Sequence, residues 1–271
     1  MSFKIGKRIT AIIQARMSSS RLPGKVLLTI EKKPILYYVI KQARASKLIN
    51  DIIIATTTSP KDDVIVNYCK KNHIRYFRGS GNDVLERYYE CAKKFKCDPI
   101  VRITSDCPLI DPNVIDKAIR RFLKNSYDYV SNNIDKKGNI WQNSECNYPH
   151  GMTVEISSFR ALEKAWKEAK KPSEREHVFP YVQFNPTLFV ISNVKNKTNL
   201  SYLRCTVDRI EDLKFVREVY KRISKHKKFV RINDILNVVK EKPNLIYINQ
   251  NIPFDEGYQK SLMKDKKRGY R

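Results

Sequence analysis

The chain has 271 residues, 53 of them Lys or Arg against 28 Asp or Glu, for a formal net charge of +25. That length fits one large domain with or without a small appendage and buries a core without staples, and no apolar run approaches the roughly 20 residues of a membrane span. The six cysteines form no C-x-x-C and no two histidines sit at metal spacing, which argues against a zinc site or a disulfide framework and for reduced thiols in a cytoplasmic protein.

The positive excess suits a polyanion partner, or lysines spread over solvated faces; their even scatter favours the second. The exception is the terminal KDKKRGYR, which reads as a mobile basic tail.

In chain order, MSFKIGKR leads into ITAIIQ (9–14). That apolar stretch is too short for a secretory leader and reads as a buried first strand. PILYYVIKQARASKL (34–48) reads as a helix with Pro in its first turn. DIIIAT (51–56) is a strand, DDVIVNYCKKNH (62–73) a helix and IRYF (74–77) a short strand. NDVLERYYECAKKF (82–95) is a helix with Asn82 or Asp83 as N-cap, its Tyr88, Tyr89 and Phe95 on a core face, and PIVRIT (99–104) is another strand. This alternation predicts an α/β fold with a mostly parallel sheet flanked by helices. Beyond residue 126 the pattern loosens. DYVSNN, TVEIS, LFVISNV and LRCTV look like strands, and 158–170 and 208–224 like helices. From PNLIYINQ onward little pattern remains. The expectation is one domain over 1–240 with a C-terminal extension over 241–271.

Four stretches carry chemistry. AIIQARMSSSRLPGK (11–25) places Arg16, Arg21 and Lys25 directly after the first strand, among small Ser and Gly residues. In an open α/β sheet that edge is where ligands bind. Loop cations there suit a phosphate chain, although the G-x-x-x-x-G-K-[ST] signature is absent. Three crowded cations repel one another, so the empty loop is expected to be mobile or to hold an anion. RITSDCPLID and LRCTVDRIED each end a β-run in an aspartate, Asp106 and Asp208. Either alone reads as a helix N-cap. Together with the basic loop they suit one Mg²⁺ shared with nucleotide phosphates. In NYPHGMTVEISSF, His150 and Glu155 face a ligand or make ordinary loop contacts. In EREHVFPYV, Arg175 and His177 lie on a helix and touch substrate or simply pack. His73 and His226 sit among lysines and receive no role.

Taken in order, AIIQARMSSSRLPGKVL, IIIAT, RGSGNDVLERY, SDCPLIDP, PHGMTVE, REHV and LRCTVDRIEDL resemble the cytidylyltransferase-like family of spore-coat polysaccharide biosynthesis protein F. That family is similar in turn to the 3-deoxy-manno-octulosonate and acylneuraminate cytidylyltransferases. The resemblance runs from Ile9 to at least Ile223. It implies a Rossmann-like, glycosyltransferase-A-type nucleotidyltransferase fold. CTP would lie with its triphosphate against Arg16, Ser18, Ser19, Arg21 and Lys25. The base would sit near Ala55, Thr56, Arg78, Gly79 and Ser80, with Ala15, Asp83 and Ser105 completing the nucleotide site. Asp106 and Asp208 would hold Mg²⁺ and, with Arg16 and Lys25, form the catalytic set. A small acidic acceptor (a sugar acid, carboxylate or phosphonate) would meet His150, Glu155, Arg175 and His177, and Mg²⁺ or His150 is the candidate base. Cytoplasmic location and a homodimer are also implied. One departure is that family members commonly carry an acidic residue where this chain has His150 to Thr153.

The competing expectation is a nucleotide-sugar-dependent glycosyltransferase of the same fold in surface polysaccharide biosynthesis. The R-x-x-x-x-R-x-x-x-K loop suits a leaving pyrophosphate better than a diphosphate-sugar. A nucleic-acid module is disfavoured, because no recognition signature appears and aromatics do not interleave with the basic clusters.

Overall fold

The computed structural model describes residues 8–133, 147–223 and 227–270. Cys146 and His226 lie outside them. The five described cysteines are free and buried.

The elements in order are β1 (Thr10–Gln14), the two-residue hairpin strands β2 (Thr29–Ile30) and β3 (Lys33–Pro34), α1 (Ile35–Arg44), β4 (Asp51–Thr57), α2 (Asp63–Lys71), β5 (Arg75–Gly79), α3 (Val84–Phe95), β6 (Ile100–Thr104) and α4 (Pro112–Lys124). Then follow β7 (Tyr129–Ser131), β8 (Glu155–Ser157), α5 (Phe159–Glu168), α6 (Pro172–His177), α7 (Pro180–Gln183), β9 (Ile191–Asn193), α8 (Ile210–Arg222), α9 (Ile232–Glu241) and α10 (Glu256–Lys267).

Seven strands form one sheet in the order β5-β4-β1-β6-β8-β7-β9. The first four run parallel, β8 is antiparallel to both of its neighbours, and β9 is parallel to β7. The sheet is therefore mostly parallel, as its alternation with helices requires. β1 is apolar on both faces: Ala11 and Ile13 enter one buried cluster and Ile12 the other, because helices cover both sides. From β1 the chain builds outward through β4 and β5, then returns to place β6 on the opposite flank. The crevice beyond the carboxyl ends of β1 and β6 is thus the topological switch point, where open α/β sheets hold ligands.

Local chemistry sets the helix starts. The Asp83 carboxylate accepts from the Glu86 N–H at 2.9 Å and Ser158 Oγ from the Ala161 N–H at 3.1 Å. Helix α4 is an addition to the sequence-based expectation. Its signals were present: Asp111 accepts from Asn113 N–H at 2.7 Å, Pro112 opens the first turn, and Val114, Ile115, Ala118, Ile119 and Phe122 bury one face.

Two expectations are corrected. LRCTV is not a strand but a loop with a single bridge between His150 and Arg204. The bridge is stitched by Cys205 N–H to His150 C=O at 2.7 Å and His150 N–H to Leu203 C=O at 2.9 Å. The ladder stops there because Gly151 turns away with φ of +93°. A Cβ at Gly151 would stand 2.4 Å from the Thr206 amide nitrogen. Gly151→Ala is therefore expected to cost about 2 kcal/mol of stability. A denaturant midpoint equal to that of the parent would contradict this.

The C-terminal stretch is also not a mobile tail. Residues 243–248 form a 3₁₀ turn, and α10 packs along α6. Asp265 is 4% exposed and accepts from both the Ser173 N–H at 2.9 Å and its hydroxyl at 2.5 Å. This docking uses Ser261 and Asp265 rather than an apolar stripe, so the segment shows no hydrophobic period.

Candidate active site

A cleft of about 470 Å³ opens at the switch point. Its first wall is the loop after β1. Asp62, buried behind it, accepts from the Met17 N–H at 2.7 Å, and Gly24, at φ of +69°, returns its N–H to Met17 C=O at 2.9 Å. The loop is pinned at both ends, so its cations are held in place.

Those cations have protein counter-charges. Lys25 Nζ stands 2.6 Å from Asp106 Oδ2 and 2.8 Å from Asp208 Oδ1, and it also donates to Val207 C=O at 2.9 Å. Arg21 Nη2 donates to Asp208 Oδ1 at 2.5 Å. Arg16 reaches Gly81 C=O at 3.4 Å and Glu176 at 3.8 Å. Protein carboxylates offset the loop's charge. Burial opposes the charge on Lys25, but Asp106 and Asp208 outweigh it and hold its pKa above the usual lysine value. Burial likewise opposes ionisation of both aspartates, and Lys25, joined by Arg21 at Asp208, overrides it and holds them below the ordinary carboxylate range.

Neither aspartate caps a helix. Asp111 serves α4, and for α8 the Asp212 carboxylate accepts from the Asp208 and Arg209 N–H groups, each at 2.9 Å. The two loops carrying the carboxylates are tied by Val207 N–H to Asp106 C=O at 2.8 Å. Asp106 and Asp208 are thereby brought together from distant parts of the sequence, with their oxygens facing one point at Lys25 Nζ.

The far wall carries a buried pair that sequence reading missed. Arg102 on β6 lies in register with Glu155 on β8 and is ion-paired to it. Arg102 Nε also donates to Gln14 at 3.1 Å, and Tyr129 donates its hydroxyl to Glu155 at 2.6 Å. Burial disfavours the charge of Arg102, yet Glu155 raises its pKa. Glu155 lines the cleft, but its oxygens are engaged by these neighbours. Arg87, Arg204 and Glu176 also line the cleft and lacked a sequence signal. The Nε groups of Arg21 and Arg87 are buried with no hydrogen-bond partner among the described residues. An anionic ligand would satisfy such costly donors.

His150 accepts at Nδ1 from Arg204 Nη1 at 2.8 Å. A guanidinium only donates, so the neutral ring carries its proton on Nε2. Burial first, then Arg204, pushes the His150 pKa down to about 4. Burial does the same for His177, also to about 4, and its Nε2 lies 3.1 Å from Ser261 Oγ. Both imidazoles take up protons near 6.5 in the unfolded chain but refuse them until about 4 in the folded one. Stability is therefore present above pH 6.5 and lost as pH falls from 6.5 to about 4. Thermal unfolding across that window should show a falling midpoint, with a shallower slope in the His150→Gln, His177→Gln double variant. Equal slopes would contradict this.

Of the residues expected from sequence, Ala15, Arg16, Ser19, Arg21, Lys25, Ser105, Asp106, His150, Glu155, His177 and Asp208 line the cleft. The rest do not. Ser18 is exposed beside it. Ala55 and Thr56 are buried inside β4. Arg78 is tied to the Thr57 and Ser59 carbonyls at 2.9 Å each, and Gly79 has no room for a Cβ beside Phe77. Ser80 caps the turn into α3 by accepting from the Asp83 N–H at 3.1 Å. Asp83 and Arg175 pair with each other at 2.5 Å, and Arg175 also donates to Trp166 C=O at 2.6 Å. Their charges brace α3 against α6 and do not line the cleft.

Cations and paired carboxylates set at the switch point of a Rossmann-like sheet are the equipment of a nucleotidyltransferase. Comparison narrows the class. Residues 10–252 match the cytidylyltransferase family model, and the chain belongs to that family. The solved cytidylyltransferase of Leptospira borgpetersenii serovar Hardjo-bovis is 33% identical and superposes with a TM-score of 0.81 over 92% of this chain and 99% of that one. An uncharacterised protein of Methanocaldococcus jannaschii is 38% identical over 249 residues, 90% of this chain and 96% of its own. The spore coat polysaccharide biosynthesis protein SpsF of Bacillus subtilis is 27% identical over 242 residues, covering 87% of this chain and 95% of its own. No helix among the described residues is long and apolar enough to cross a membrane.

Proposed function

We propose that this nucleotidyltransferase joins the cytidylyl group of CTP to an oxygen of a small acidic acceptor, such as a sugar acid, and releases pyrophosphate. The observation that carries the reading is the convergence of Asp106 Oδ2 and Asp208 Oδ1 on one point beside the pinned basic loop. The acceptor oxygen forms a bond to the α-phosphorus as the bond to the β-phosphate bridging oxygen breaks. The acceptor hydroxyl gives its proton to solvent, and pyrophosphate departs with the electron pair. No protein nucleophile is needed, so positioning and charge neutralisation supply the rate.

Arg16, Arg21 and Lys25 hold the phosphates and stabilise the leaving pyrophosphate. To do so, Arg21 and Lys25 exchange a carboxylate for a phosphate oxygen. His150 is not the base, because Arg204 fills its Nδ1 lone pair and Nε2 carries the proton. Arg102, fixed by Glu155 and Gln14, presents positive charge towards an acidic group.

The chemistry of the donors fits Mg²⁺. Asp106 and Asp208 are hard, ionised, convergent oxygen ligands, and Mg²⁺ commonly takes one or two carboxylates plus substrate oxygens. No group of three or more candidate ligands occurs among the described residues, so substrate oxygens would complete the shell. When bound, the ion would neutralise charge at the α-phosphate and lower the pKa of the acceptor oxygen.

The test is pyrophosphate release by purified protein with Mg²⁺, each of the four nucleoside triphosphates, and a panel of sugar acids and small carboxylates and phosphonates. Release with CTP and one acid is the expected result. No release with any pair, together with tight binding of a nucleotide-diphosphate sugar, would replace this reading with glycosyl transfer.

A further inference from the structure

We infer that the segment from Phe254 to Ser261 is the wall that reads the acceptor, with the rings of Phe254 and Tyr258 as its specificity-determining side chains. The inference rests on the cytidylyl-transfer reading and goes beyond it. The family match ends at residue 252, yet the cleft wall continues past it through Phe254, Gly257, Tyr258 and Ser261. The phosphate loop and both carboxylates lie within the matched part. The segment lies outside the part that the family shares with this chain's phosphate loop and carboxylates.

Its position supports this. The Phe254 ring meets His150 edge-on, with centroids 5.3 Å apart, and the Tyr258 ring meets His177 in the same way at 5.1 Å. His150 and His177 belong to the loop before β8 and to α6, and both line the cleft. The segment also touches the phosphate loop. A Cβ on Gly257 would lie 3.1 Å from Arg21 Nη1, so the wall begins where the phosphate chain would end.

The wall is also built to hold its place. At one end Arg204 Nη1 donates to Pro253 C=O at 3.3 Å and Arg209 pairs with Glu256 at 2.9 Å. Further along, Ser261 is 1% exposed, donates to Glu176 at 3.1 Å and meets His177. Asp265 then anchors α10 to Ser173. Phe254, by contrast, is 40% exposed. An aromatic face left open between a neutral imidazole and a polar cleft offers contact to the C–H face of a sugar ring or to another apolar part of the acceptor. Burial raises the Tyr258 pKa to about 12, so its phenol stays protonated and can donate to an acceptor hydroxyl or carboxylate.

The experiment measures steady-state pyrophosphate release in full-length Phe254→Ala and Tyr258→Leu, varying CTP and acceptor separately, across the acid panel. Phe254→Ala removes a half-open side chain and so preserves the fold, which a thermal melt verifies. Tyr258→Phe is the conservative companion. Acceptor KM is expected to rise about tenfold in Phe254→Ala and Tyr258→Leu, with a changed order of preference among the acids. CTP KM should stay within about twofold, and Tyr258→Phe should recover the packing share of the loss. Unchanged acceptor KM and preference in both variants, while the wild type turns over, overturns the inference alone. So does a CTP KM that rises as much as that of the acceptor. A wild type that releases pyrophosphate with no acid overturns the functional reading and this inference with it.

Discussion

Asp106→Asn is expected to lower kcat by about 10³-fold while leaving CTP affinity equal or tighter. The substitution keeps the shape and removes one charge. Asp106 has one strong partner, Lys25 at 2.6 Å, and Asp208 remains to hold that ammonium. The fold therefore persists, as far-ultraviolet circular dichroism would show. Removing a carboxylate from beside a triphosphate site cannot weaken binding of a polyanion by repulsion, so a loss confined to turnover marks a group needed at the reacting phosphorus. Retained turnover in this variant would remove the metal-ligand role from Asp106. A fall in CTP affinity as large as the fall in turnover would make Asp106 a group for nucleotide binding rather than one needed only at the reacting phosphorus.

Lys25→Met should have the second large effect, and on two observables. The side chain keeps its length and loses the ammonium that stands between two buried carboxylates. Breaking a buried pair by deleting one partner costs about 3 kcal/mol or more, and here Asp106 loses its principal counter-charge. With Lys25 present, both aspartates titrate below their usual 3.8, so the cluster contributes stability above that value and loses it as pH falls further. Without Lys25, burial and the neighbouring Asp208 push Asp106 above its usual value, so the sign reverses and the variant loses stability as pH rises through that raised pKa. Turnover should drop by about 10²-fold or more through the lost phosphate contact. Millimolar Mg²⁺ without nucleotide should raise the melting midpoint of the variant more than that of the wild type, because the ion takes the place the ammonium has vacated. An equal response in both proteins would contradict the shared site.

The elements that sequence made legible are those whose signal is local. The apolar run before Arg16, the regular βα alternation to residue 104 and Asp106 just past the run of β6 each declare themselves within a dozen residues. α4 was equally local, in Asp111-Pro112 and its apolar spacing, and was overlooked. α10 could not be read in this way. Its docking depends on Asp265 meeting Ser173 and Ser261 meeting His177, contacts that span more than 80 positions and leave no hydrophobic period.

The sequence by itself determined that three cations follow the first strand, that two carboxylates end later runs, and that a parallel-rich sheet would bring such ends to one edge. Tertiary structure decided what those charges do. The register of β6 with β8 consumes Glu155 on Arg102, and the approach of α6 to α3 consumes Arg175 on Asp83. The His150–Arg204 bridge turns Asp208 onto Asp106, with Lys25 between them. Ionisable side chains choose partners by distance in space, and a few ångströms of packing separate a ligand-facing charge from a structural pair. Spacing along the chain reports which groups are available, whereas only the fold sets which of them remain for a substrate.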